Sequence, residues 1–197
     1  QPPVALVQVD QSFYNPYDRQ EEGTFVFNLP RGASVSRFAM YVTRDSLIEG
    51  ELIQRQRASE IYESIVRARR DPAILEQIGD NLFKMRVFPI FARDTKRILL
   101  DYTLPLESDD GHYRFELPLL SDLKPIADFR ISGVIRGRTT AKSVASPMFP
   151  ELKLDRRSDD ALSFELNRSV YQPQHDFAIE FHQPQQPASL LAYHAEP

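Results

Sequence analysis

The stretch TFVFNLPRGASVSRFAMYV at residues 24–42 holds two strand patterns separated by a turn. Its first half places three apolar side chains on one face of an extended strand, namely Phe25, Phe27 and Leu29. Its second half repeats the alternation with Phe38, Met40 and Val42. The residues between them, Pro30-Arg31-Gly32, are typical of a turn. A period of two on both sides of a turn predicts antiparallel β-structure.

The same alternation recurs through most of the chain, separated by turn residues. Upstream, residues 4–13 form a strand pattern that ends in the turn sequence NPYDRQEEG at 15–23. Further strands are predicted at 34–43, 47–53, 74–78, 82–88, 95–104, 112–117, 129–136, 151–154, 161–166 and 176–181. We expect 47–53 to be the hairpin partner of 34–43, and 74–78 to pair with 82–88 across Gly79-Asp80-Asn81.

One segment has a different period. Apolar residues recur at helical spacing at Ala58, Ile61, Tyr62, Ile65 and Val66. Asp71-Pro72 ends the pattern, because the residue before a proline avoids the α conformation. This pattern predicts one α-helix at about 55–70.

These patterns predict an all-β chain, an antiparallel β-sandwich with one inserted α-helix (about 55–70). We expect one domain over residues 1–182, followed at 183–197 by a Pro/Gln-rich linker and tail that lead to a downstream domain. A split into two domains near Ser121 is the alternative. The chain begins at Gln1 without a methionine, so we expect a processed or excised segment.

Composition excludes several classes of function. The chain has 197 residues, 42% of them hydrophobic and 26% charged, which is ordinary globular composition. A net charge of -4 disfavours nucleic-acid binding, since domains that bind nucleic acid are strongly basic. No apolar run approaches the ~18 residues of a membrane helix, so we expect no membrane insertion by this segment. The absence of cysteine excludes disulfides, thiol nucleophiles and thiolate metal sites.

The remaining reactive side chains form no recognisable catalytic or metal-binding motif. None of His112, His175, His182 and His194 pairs with another at metal-clip spacing, although His182 has the same strand parity as Glu180. The acidic runs at 109–110 and 155–160 are typical of hairpin turns, with a calcium site as the weaker alternative. We therefore expect no catalytic residue, no cofactor and no metal.

Residues 11–42 (QSFYNPYDRQEEGTFVFNLPRGASVSRFAMYV) are similar to the opening of VIT (vault protein inter-alpha-trypsin) domains. The resemblance continues through IEGE at 48–51, ASEIYESIVRARRDPAILEQ at 58–77, NLFKMRVFPI at 81–90, DYTLPL at 101–106 and DFAIEF at 176–181. It thus runs from about Val4 to about Phe181. The positions that carry it are Asn15, Pro16, Glu22, Gly23, Phe25, Phe27, Pro30, Met40, Glu49, Gly50, Ile61, Tyr62, Glu63, Glu76, Asp176 and Phe177.

The resemblance implies a non-catalytic, β-rich scaffold whose motif residues are structural. The family occurs N-terminal to von Willebrand A-type domains in inter-alpha-trypsin inhibitor heavy chains and bacterial surface proteins. It therefore implies a secreted or cell-surface/periplasmic protein, and a von Willebrand A-type downstream domain as partner. This chain departs from the family in two ways: the strand before Val4 is missing or short, and no von Willebrand A-type domain or Asp-x-Ser-x-Ser metal motif occurs within its 197 residues.

Two functional hypotheses from different classes follow. The first is a non-catalytic protein–protein interaction and assembly module that packs against the downstream domain and other proteins. The alternative is a carbohydrate-binding β-sandwich, for which Tyr14 and Tyr17 in the NPYD turn are the candidate platform, since the chain has no tryptophan. An enzyme ranks third.

Overall fold

The computed structural model describes residues 3–41, 46–54, 74–119, 125–139 and 141–183. These residues form antiparallel strands almost throughout, which confirms the all-β fold class. The predicted helix at about 55–70 lies outside the described residues, as do Ile61, Tyr62 and Glu63. No helix in the described part of the chain is long and apolar enough to cross a membrane.

The chain groups into two compact units. Unit 1 comprises Gln1–Leu106, Glu116–Ser121 and Gln174–Asp176, and unit 2 comprises Glu107–Phe115, Asp122–Pro173 and Phe177–Pro197. The single span 1–182 that the sequence predicts as one domain stays a prediction.

The described residues of unit 1 include eight complete strands in two four-stranded sheets. The strands are β1 (Val4–Tyr14), β2 (Glu21–Asn28), β3 (Ser34–Tyr41), β4 (Leu47–Glu49), β5 (Glu51–Gln54), β6 (Ile74–Gln77), β7 (Leu82–Ile90) and β8 (Thr95–Pro105). One sheet has the order β1-β8-β3-β4 and the other has the order β2-β7-β6-β5. The two sheets meet at Phe13 and Phe25, whose ring centroids are 3.7 Å apart.

The segment predicted as one strand at 47–53 is divided between the two sheets. Its first part, β4, pairs with β3 as predicted, with Met40 opposite Ile48. The chain then passes Gly50, whose N–H donates to the carbonyl of Phe38 at 2.8 Å, and enters β5. β5 pairs in parallel with β6, so the expectation of a single hairpin partner was wrong for the second part. The predicted pairing of β6 with β7 is confirmed.

The core of unit 1 follows from the alternation in its strands. Inward-facing side chains of both sheets are almost fully buried, among them Phe27, Phe38, Met40, Leu75, Met85, Val87, Ile98, Leu100 and Tyr102. The phenol oxygen of Tyr102 is buried and has no hydrogen-bond partner among the described residues. Burial raises the pKa of the Tyr102 phenol, because the low-dielectric core disfavours its charged form.

The described part of unit 2 contains a four-stranded and a three-stranded sheet. Its strands are β9 (Ser108–Asp109), most of β10 (His112–Leu117), β11 (Ile126–Arg136), β12 (Val144–Ala145), β13 (Lys153–Ser158), β14 (Ala161–Tyr171) and β15 (Phe177–His182). They form sheets of order β12-β15-β10-β9 and β11-β14-β13, with a short 3-10 helix at Ala141–Ser143. Aromatic rings fill the core: Phe177 lies 5.7 Å from Phe149 and 6.3 Å from Phe164, centroid to centroid.

Candidate interaction surface

The residues of the family motif lie in three kinds of environment. Buried positions are Asn15, Phe27, Pro30, Met40, Glu76 and Phe177. Partly buried positions are Gly23, Phe25 and Gly50. Exposed positions are Pro16, Glu22, Glu49 and Asp176. The structure therefore does not gather the motif into one cleft, and most of its members take part in local packing or turns.

Asn15 ties together two loops that are distant in sequence. Its side chain is 4% exposed, and its Nδ2 donates to the carbonyls of Ile90 at 3.0 Å, Phe91 at 3.0 Å and Arg19 at 2.8 Å. Its Oδ1 accepts from the N–H of Tyr17 at 3.0 Å. Its backbone N–H donates to the carbonyl of Asp94 at 2.9 Å. Only an amide supplies both the donors and the acceptor that this position requires.

Gly23 allows an aromatic ring to lie against the backbone of β2. A Cβ at this position would lie 2.7 Å from Cζ of Phe25 and 2.9 Å from Cδ1 of Ile90. The register of the β2–β7 pair shifts between Glu21 and Gly23, which marks a β-bulge or similar irregularity there. The absence of a side chain lets Phe25 reach Phe13 in the other sheet.

Two of the motif glutamates, Glu49 and Glu76, form cross-strand ion pairs. Glu49 accepts from Nη2 of Arg37 at 2.7 Å and from Nε at 3.1 Å, and this hydrogen bonding lowers the pKa of Glu49. Glu76 is buried opposite Lys84 in the β6–β7 register, with Oε2 3.6 Å from Nζ. In both cases a basic side chain on the neighbouring strand neutralises the glutamate. These ion pairs stabilise the pairing of the strands and therefore have a structural role.

The loops that Asn15 joins, together with the last residue of β1, present exposed aromatic side chains. Tyr14 is 58% exposed, Tyr17 is 54% exposed and Phe91 is 48% exposed. Two arginines accompany them, Arg19 and Arg93. We call these five residues the NPYD surface. All five belong to unit 1.

Ion pairs hold the polar groups of the NPYD surface in place. Arg93 donates from Nε to Oδ1 of Asp18 at 2.7 Å and from Nη2 to Oδ2 at 3.1 Å, which lowers the pKa of Asp18. The hydrogen bond with Asp18 raises the pKa of Arg93, and a second hydrogen bond, with Tyr14, contributes less in the same direction. Arg93 has a φ of 57°, and its N–H donates to the carbonyl of Tyr17 at 3.2 Å. The Arg19 guanidinium lies 5.8 Å from the Tyr17 ring centroid.

Sequence reasoning identified only part of this surface. It singled out Tyr14 and Tyr17, which lie beside the NPYD turn, but it missed Phe91 and Arg93. Those two residues come from the β7–β8 loop, and Arg93 is 75 positions from Asp18. The one available signal is the turn-forming sequence ARD at 92–94, which gives no indication of what it faces.

The other candidate groups of the sequence are placed elsewhere. Glu180 forms an ion pair with Arg114, whereas the ring of His182 lies 4.6 Å from that of His112. Asp110 lies in the turn between β9 and β10, and Asp159 and Asp160 lie in the turn between β13 and β14. No group of three or more His, Cys, Asp or Glu side chains within the described ranges could hold a metal ion.

Two comparisons with known proteins match the chain over different extents. The family model described as "Vault protein inter-alpha-trypsin domain" matches residues 1–102, which fall within unit 1. No curated protein matches the chain. A crystal structure from Legionella pneumophila, provisionally described as a nutrient-binding protein, is similar with a TM-score of 0.54 and 14% identity. That similarity covers 90% of this chain and 60% of the other.

Proposed function

Because the chain belongs to the vault protein inter-alpha-trypsin (VIT) domain family, we propose that it is a non-catalytic protein–protein interaction and assembly module of a larger secreted or cell-surface protein. The observation that carries the proposal is the NPYD surface, in which exposed aromatic and arginine side chains lie at the end of β1 and on two loops that a buried asparagine joins. The family resemblance adds the expectation of a following von Willebrand A-type domain, which is the partner we propose.

The chemistry of the NPYD surface suits a protein partner. Tyrosine, phenylalanine and arginine are enriched at protein–protein interfaces, and tyrosine and arginine are frequent among the residues that dominate binding energy. The hydrogen bonds of Asn15 and Arg93 fix the conformation of the two loops in the unbound protein. Less conformational entropy is therefore lost when a partner binds. A following domain on the same chain would bind at high effective concentration, so modest intrinsic affinity suffices.

Hydrogen exchange in the natural full-length protein and in the 197-residue chain tests this proposal. We expect amides at 14–20 and 91–94 to exchange more slowly in the full-length protein. The double variant Tyr17→Ser/Phe91→Ser should abolish that difference. The matched control is Val134→Ser/Met148→Ser, which removes two apolar side chains of similar exposure, 49% and 45%, from unit 2. Equal protection in the chain and the full-length protein would contradict the proposal.

Carbohydrate binding through Tyr14 and Tyr17 is the second candidate, because both residues are exposed and lie three positions apart in the chain. A sugar-binding platform needs an open ring face, and in Tyr17 the Arg19 guanidinium lies near that face. Titration of the chain with a panel of oligosaccharides separates the two functions. Saturable binding that is lost in Tyr17→Ala would favour the carbohydrate module over the protein module.

A further inference from the structure

The long edge strand β1 lacks the features that keep sheet edges from pairing with other chains. β1 has eleven residues and lies at one end of the order β1-β8-β3-β4. Edge strands in native proteins are usually short, charged, bulged or interrupted by proline. β1 contains no proline, and the register given for its pairing with β8 runs without a shift from Val4 to Tyr14.

The other edges in the described part of the chain are protected. β4, β5, β9 and β12 have three, four, two and two residues. β2 begins with two glutamates and a register shift, and β13 carries four charged side chains and another shift. β11 is long, but it includes Asp128, Arg130 and Arg136. Among the edge strands in the described part of the chain, β1 is therefore the one that combines full length with an unshifted register and a single charged residue.

The hydrogen bonds at the two ends of β1 show which of its backbone groups bond to β8 and which have no partner among the described residues. The N–H of Leu106 donates to Pro3, and the N–H of Asn15 donates to Asp94, each at 2.9 Å. Because hydrogen-bonded and non-hydrogen-bonded pairs alternate in an antiparallel ladder, the odd-numbered residues of β1 bond to β8. The even-numbered residues direct N–H and C=O away from β8, and they are Val4, Leu6, Gln8, Asp10, Ser12 and Tyr14.

The side chains of these even-numbered residues carry no unbalanced charge. Asp10, the only charged residue of β1, accepts from Arg97 of β8 at 2.6 and 2.8 Å. Gln8 donates to Asp101 at 3.0 Å. Leu6 is 81% exposed, more than any other large apolar side chain in the described residues. The exposed face of β1 therefore carries no unpaired charge along its length.

We propose that β1 pairs with β1 of a second copy of this chain, antiparallel, about a two-fold axis at Val9. In this register Val4 faces Tyr14, Leu6 faces Ser12 and Gln8 faces Asp10 of the second copy. All open backbone groups are then paired, in about twelve hydrogen bonds. Each Val4–Tyr14 pair joins a β-branched to an aromatic side chain, a favourable cross-strand combination.

The neighbouring registers are less favourable. An axis at Asp10 would place two aspartates opposite each other, which is destabilising. An axis at Gln8 would place Leu6 against Asp10 and leave Tyr14 beyond the ladder. An isologous pair also closes on itself, so it uses both edges at once and builds no fibre. This dimer goes beyond the proposed function, because its ladder is separate from the loops of the NPYD surface and shares only Tyr14 with it.

Sedimentation velocity of the 197-residue chain from about 1 μM to about 1 mM tests the dimer. We expect a monomer–dimer equilibrium whose Kd rises at least about tenfold in Leu6→Lys, since each dimer acquires two edge lysines. Val26→Lys is the matched control, because Val26 is an exposed apolar residue of edge strand β2, and it should leave the Kd unchanged. Ser12→Pro removes an N–H that points away from β8, so it should also abolish the dimer. Gln11→Pro removes an N–H that bonds to β8, so it should lower the melting temperature more than Ser12→Pro does.

Single cysteines locate the axis, because the native chain has none. Under mild oxidation Val9→Cys should form a disulfide-linked dimer, since the two Val9 residues face each other in a non-hydrogen-bonded pair. Ser12→Cys should not, because the two Ser12 residues lie about 20 Å apart along the strands. A monomer at every concentration, a Kd indifferent to Leu6→Lys, or equal cross-linking of the two cysteine variants would overturn the proposal. A monomer whose NPYD loops are still protected in the full-length protein would overturn the dimer alone.

Discussion

Replacement of Asn15 by alanine should destabilise unit 1 strongly, although the residue lies in a loop. The change removes four side-chain hydrogen bonds, of which the one to the carbonyl of Ile90 is buried. A typical net contribution of about 1 kcal/mol for each bond, reduced where water replaces the lost partner, gives about 2–4 kcal/mol. The exposed Asn28 of β2 is the matched control, and Asn28→Ala should change stability by less than about 0.5 kcal/mol.

The measurement must report on unit 1 by itself, because two compact units need not unfold in one transition. Hydrogen exchange of β8 amides in increasing urea meets this condition. With an m-value of about 2 kcal/mol/M, the Asn15→Ala midpoint should fall by about 1–2 M. A midpoint shift equal to that of Asn28→Ala would refute the conclusion that Asn15 holds the two loops together.

Two further predictions concern Tyr102 and Asp18. Tyr102→Phe should raise the free energy of unfolding of unit 1 by about 1 kcal/mol, since it removes a buried hydroxyl that lacks a partner among the described residues, and urea titration checks the sign. Arg93 lowers the folded-state pKa of Asp18, so the pair stabilises the fold above the unfolded pKa of Asp18, and the contribution is lost as the pH falls towards the folded value. The stability difference between the wild type and Asp18→Asn should therefore shrink between about pH 7 and about pH 2, and a difference that grows at acid pH would contradict the assignment.

The carbohydrate and protein-binding hypotheses differ in what they require of the NPYD surface. The sequence placed Tyr14 and Tyr17 beside a turn, which is compatible with either. The structure adds Phe91 and Arg93 from another loop, and it brings the Arg19 guanidinium close to the ring of Tyr17. These additions favour a protein partner, since they enlarge the aromatic area and engage the arginines in fixed geometry.

Local periodicity in the sequence by itself predicts most of the β-strands of this protein. Successive side chains of a strand point to opposite faces, so the alternation of Phe25, Phe27 and Leu29 is a property of the chain itself and predicts β-structure there. The pairing of β6 with β7 was also predictable from the sequence, because a short turn joins the two strands and leaves few other partners within reach. Several motifs in the right order along the chain, beginning with the one around Asn15, predicted the family, and the family match over residues 1–102 confirms it.

Only the tertiary structure decided which distant segments meet. The pairing of β1 with β8 joins residues such as Gln8 and Asp101, and no local pattern encodes that choice. The division of 47–53 at Gly50 between an antiparallel and a parallel pairing depends on which sheet offers an open edge. Asn15 carries no sign in the sequence that its amide will meet the carbonyls of Ile90 and Phe91. The alternation of apolar and polar residues determines to which face of the sheet a side chain points. Which strands pair with each other is determined by the packing of the whole unit.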